Sequence, residues 1–212
     1  MAASFHRPTK FPPGMFEAFV GGEDPAQASR VAHDTAAALL ARVRSDPDPE
    51  IVARLIAYTD SHGIDAIAEL WSRSAPKSLP GALWRFYLLR TLIRQDSAGL
   101  SLAYQRGAEV THTIDHVVAG APTPAGPAEV IELADRILHG AFTGDFAVAL
   151  DRAAAFSRVA AAGFASLADD ADASDAAHPD RPAEFTRRAL RLTELAEELG
   201  ACARLWRRDA LD

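Results

Sequence analysis

The chain has 212 residues, a formal net charge of −7, 49% hydrophobic and 24% charged residues, and one cysteine. This composition excludes a disordered polymer and a disulfide framework, and the acidic balance argues against a general nucleic-acid binder, which must present basic surface to phosphates. Pro8, Pro12, Pro13 and Gly14 break up the early hydrophobes and no apolar run approaches the ~18 residues of a membrane span, so neither a signal peptide nor a membrane helix is expected and the cytoplasm is the default location.

Val, Ile, Thr and aromatic residues in period-2 alternation are missing, so strands have little support. The expected fold is all-α: a compact multi-helix bundle, with residues 1–22 as an aromatic arm and 23–212 as a single helical domain. In the arm, Phe5, Phe11, Met15, Phe16 and Phe19 are too much apolar surface for a free tail. They either fold back on the chain's own core or reach a second subunit. Phe11, Phe16 and Phe19 are the candidate interface residues.

Asp24-Pro25 and Asp48-Pro49 each set a capping carboxylate before a proline, which suits the first helical turn because its missing N–H costs nothing there. They predict helices over about 25–44 and 49–62, the second stopped by Gly63, with a shorter one over 64–73. Ser78-Leu79-Pro80 opens the next, over 79–95. Its Leu83, Trp84, Phe86, Tyr87, Leu88, Leu89, Leu92 and Ile93 spread around the whole circumference, the mark of a buried central helix. A short helix is expected to end at Gly107, followed by one over 108–119 and another over 127–139. Asp145 opens a long alanine-rich helix to about Leu167. Residues 169–182 read as an acidic linker, and the last helix runs from about 183 to 208.

The strongest pattern lies in that last helix. Phe185, Leu192, Leu199 and Trp206 recur every seven residues, and Ala189, Ala196 and Ala203 recur between them. Phe146, Ala149, Ala153, Phe156, Ala160 and Gly163 form a matching stripe on the preceding helix. Small residues let two axes approach and the bulky ones fill the remaining space. An antiparallel hairpin within the chain is the first expectation, and a homodimer interface through Ala189, Ala196 and Ala203 is the second.

Three places bear on chemistry. His112-Thr113-Ile114-Asp115-His116 puts two histidines four apart, as on a metal-binding helix. The string resembles the H-x-x-E-H pattern of inverse zinc peptidases, which implies His112 and His116 as ligands and Asp115, one methylene shorter than glutamate, in the base position. On a helix Val110, Ile114, Val117 and Val118 would form the apolar face, leaving the histidines and Asp115 on a solvated one. Arg90 and Arg94, one turn apart beside Tyr87, need carboxylate partners or an anionic ligand. Glu69 and Asp145 are the expected internal partners. Cys202 sits among apolar and arginine residues and reads as core filler.

No phosphate-binding glycine loop, nucleophile elbow, dinucleotide fingerprint or CxxC pair occurs, so no cofactor is expected beyond a divalent metal at the histidine string. The run Ser78-Leu79-Pro80-Gly81-Ala82-Leu83-Trp84-Arg85 through Ile93-Arg94-Gln95, with Gly144-Asp145-Phe146, resembles helical proteins of high-GC actinobacteria. Some of those carry an RNA-polymerase-subunit label, but the chain is too short and acidic for a catalytic polymerase subunit. The resemblance implies a helical fold and attaches no activity. Two functions remain open: a non-enzymatic interaction or regulatory protein, and a small metal- or anion-dependent enzyme in a helical bundle.

Overall fold

The computed structural model describes residues 25–45, 70–122, 125–174 and 178–212. Its elements are α1 (Pro25–Ser45), α2 (Leu79–Gln95), α3 (Ser97–Val110), α4 (Asp115–Ala119), α5 (Pro127–Thr143), α6 (Phe146–Ser174) and α7 (Arg181–Trp206). No strand occurs among the described residues, so the chain is all-α as its composition dictates. The arm with Phe11, Phe16 and Phe19, the expected helix over 49–62, and Glu69 lie outside them.

Helix starts follow local chemistry. Ser78 Oγ accepts the Gly81 amide at 3.2 Å and donates to the Ala75 carbonyl at 2.8 Å, fixing the entry to α2. The Asp96 carboxylate accepts the Gly99 amide at 2.9 Å and begins α3 immediately after α2 ends. Asp145 Oδ1 accepts the Ala147 and Val148 amides at 2.8 and 3.2 Å and begins α6.

α6 and α7 pack antiparallel, because ring pairs join opposite ends: Phe146 to Trp206 at 4.8 Å and Phe164 to Phe185 at 5.8 Å. Ala189, Ala196 and Ala203 are buried in the chain's own core. The α6 stripe is shared between two neighbours. Phe156 stacks on Tyr104 of α3 at 5.0 Å, and Gly163 meets Gly107 of α3. A methyl on Gly107 would collide with the Val159 carbonyl, and one on Gly163 with the Ala103 carbonyl, so the two helices cross backbone to backbone.

α2 is buried from Leu79 to Leu83 and again at Phe86, Tyr87, Leu89, Arg90 and Ile93. It packs on α1, α5 and α7, while α6 is the hub that touches α2, α3, α4, α5 and α7. Several expected boundaries shift, and α5 runs beyond residue 139 to Thr143. α3 runs past Gly107 to Val110, since that glycine serves the crossing with α6 and is not a stop. Residues 169–174 are the last turns of α6, not part of an acidic linker. Ala168 and Ala171 are buried there, and Asp170 accepts from Arg106 of α3 at 3.1 Å, so tertiary contacts override an unfavourable run of acids at a helix C-terminus.

Candidate functional site

Arg90 and Arg94 converge on one carboxylate. Arg90 Nε donates to Asp135 Oδ1 at 2.7 Å and Arg94 Nη2 to Asp135 Oδ2 at 3.2 Å, so α5 supplies the partner across the interface with α2. The Arg90 side chain is only 7% exposed, and burying a guanidinium requires such a partner. Tyr87 is buried nearby, its ring 6.4 Å from Trp71. An external carboxylate or phosphate would have to displace Asp135. The expected partner Asp145 instead accepts the first amides of α6.

The histidine string does not form one helical face. α3 ends at Val110, where Thr111 Oγ1 folds back to donate to the Gly107 carbonyl at 2.7 Å, and α4 begins only at Asp115. The intervening corner breaks the four-residue spacing that would have aimed His112 and His116 at a shared ion. Among the described residues no group of three His, Cys, Asp or Glu side chains is placed to hold a metal.

The corner also changes the expected faces in part: Val118 packs against the core and His112 is exposed, as expected, but Asp115, Ile114 and Val117 exchange sides. Asp115 turns inward to Arg158 of α6, with contacts of 2.6 and 3.1 Å. That guanidinium holds the Asp115 carboxyl below the usual carboxylate range, against the opposing pull of partial burial. Tyr104 Oη donates to the His116 carbonyl at 3.2 Å from its seat on Phe156. Burial, helped by the Asp115 charge, pushes the Tyr104 phenol up to about 12, so it stays a donor. Ile114 and Val117, expected on the inner face, are 74% and 67% exposed, and Val110 is 40% exposed.

Cys202 is fully buried, its thiol donating to the Pro76 carbonyl at 3.4 Å. Burial raises that thiol to about 11, which removes thiolate chemistry at neutral pH. Sequence reasoning missed Asp135 and Arg158. Each lies more than 40 residues from its partner, at a separation where no local pattern signals pairing. No family model matches this sequence, no curated protein is similar to it, and no solved structure matches it.

Proposed function

We propose that this chain is a non-enzymatic interaction protein whose docking surface is the α3–α4 corner. One observation carries the reading: Ile114 and Val117 point into solvent from a corner that buried or half-buried groups hold in a single shape. The Arg158–Asp115 pair and the Tyr104–His116 bond pin the backbone, and Ala119 anchors α4 to the core. A surface prepared this way loses little conformational entropy when it is covered.

The occupant is a segment of another protein, an amphipathic helix with basic flanks. Three exposed aliphatic side chains fall well short of the roughly 800 Å² per partner that a stable dimer buries, which favours a small, transient footprint. Two copies at −7 each also repel one another, whereas a basic segment is attracted.

Site-directed crosslinking tests this. Cys202 is buried with a raised thiol pKa, so Ile114→Cys and Leu190→Cys each provide one reactive thiol, Leu190 being 65% exposed elsewhere on the surface. In cells of the native source, a thiol-anchored photocrosslinker should yield a defined heteromeric adduct from position 114 and not from 190. Adding Val117→Asp should abolish it. Identical adducts from both positions, or adducts only between copies of the chain, would refute the proposal.

A further inference from the structure

α7 closes with a pair of crossed hydrogen bonds, Ala210 N to Leu205 O and Asp209 N to Trp206 O, both 3.0 Å. This is a Schellman closure, whose left-handed residue is usually glycine. Here it is Asp209, at φ 53°, the one described non-glycine residue with positive φ. Aspartate tolerates this backbone better than most residues but still less well than glycine.

The turn carries Asp209 to the rim of a depression of about 390 Å³ at the open end of the α6–α7 hairpin. Asp145, Phe146, Ala147, Trp206 and Arg207 complete its lining. That volume suits a small molecule. One wall is aromatic: the half-buried Trp206 indole lies against the fully buried Phe146 ring.

Its charges do not cancel. Arg207 is matched by Asp151 at 2.5 Å. Asp145 spends one oxygen on the α6 amides and attracts Arg207 at longer range, but forms no close ion pair among the described residues, and neither does Asp209. Two carboxylates with spare lone pairs therefore share the lining with an aromatic wall. An anion would be repelled, and a neutral apolar guest would desolvate the carboxylates without replacing their hydrogen bonds.

We propose that this depression binds a small organic cation bearing N–H donors, a primary ammonium or a guanidinium. The cationic head is held by Asp209 and Asp145, and its alkyl stem lies on the Trp206 indole. Charge-assisted N–H bonds to the carboxylates set the affinity, and the ring adds cation–π attraction. The energetically poorer choice of aspartate at position 209 then has a reason, because glycine would close the helix better but bring no charge to the site.

The test is titration of the full chain with agmatine, which carries both a guanidinium and a primary ammonium. Nuclear magnetic resonance would follow the Trp206 indole N–H and the Ala147 amide, and calorimetry the affinity. Tetramethylammonium at matched ionic strength serves as the cation without N–H donors. Agmatine should give saturable shifts confined to these residues, and tetramethylammonium much weaker ones. Asp209→Gly should weaken binding by roughly tenfold or more while melting no lower than the wild type, which separates lost binding from lost folding. Asp145→Asn keeps a capping oxygen and should weaken binding comparably. No saturable shift with agmatine, an equal response to tetramethylammonium, or unchanged affinity in Asp209→Gly would each overturn the proposal.

Discussion

The α6–α7 hairpin and the α3–α4 corner are written with similar apolar spacings and finish with opposite exposures. In the hairpin, Leu192, Ala196, Leu199 and Ala203 all turn inward. At the corner, Ile114 and Val117, which a continuous helix would have buried, turn outward. The difference is length and continuity. α7 holds its phase for 26 residues, so many contacts agree on one rotation. The corner string spans a helix end, where Thr111 leaves the helical backbone for an extended one and the phase is lost.

The contrast is broken most severely at the place where α3 meets the hairpin. Gly163→Ala or Gly107→Ala puts a methyl into the facing carbonyl, with no flexible side chain to move aside. Each should destabilise by about 3 kcal/mol, the upper part of the usual overpacking range, despite alanine's better helix propensity. A urea midpoint equal to the wild type's would show that the crossing is looser than drawn. Next comes Ala196→Leu inside the hairpin, expected to cost ~1–3 kcal/mol by the same mechanism with more room to adjust. An unchanged melting temperature would count against the alanine seam.

The brace of the corner has a smaller effect with a distinctive pH signature. Asp115 has a folded pKa below its unfolded value of about 3.9, so its pairing stabilises the fold above that value and is lost as pH falls through the folded pKa. Arg158 is 45% exposed, and solvent screening limits the pair to under ~1 kcal/mol. Asp115→Asn should therefore be slightly less stable than the wild type at pH 7. The gap should narrow below pH 4, because only the wild type still has a charge to lose there. Parallel stability curves across that range would remove Arg158–Asp115 from the account of the corner.

What the sequence could disclose follows the same division. The Ser78 and Asp145 starts, the all-helical class and the antiparallel seam rest on local chemistry or long periodicity, and all appear in the fold. The apolar turns of α2 were legible for the same reason. The hub role of α6 was not, because Phe156 and Gly163 belong as much to α3 as to α7, and a stripe does not say which neighbour it serves. Pairings such as Arg90 with Asp135 and Arg158 with Asp115 depend on which helices meet. The Asp209 turn was hidden too. Aspartate after a helix carries no glycine-like signal, and its left-handed backbone emerges only from the two crossed bonds of the closure.

The smallest expected change in stability tests the corner most directly. Ile114→Asp replaces an aliphatic side chain that is 74% exposed, so little packing is lost and the folded state should shift by no more than about 0.5 kcal/mol. Had residues 108–119 formed one helix with Ile114 on its inner face, the same change would have buried an unpaired carboxylate and cost several times more. Leu150→Asp in the core of α6 gives that buried reference, since Leu150 has no exposure. Wild-type melting in Ile114→Asp, together with loss of the adduct when Ile114→Asp is combined with a crosslinker anchored at Val117→Cys, would place the corner's aliphatic residues in binding rather than in folding. A melting loss approaching that of Leu150→Asp would instead return Ile114 to the core, and the α3–α4 corner would cease to be a docking surface.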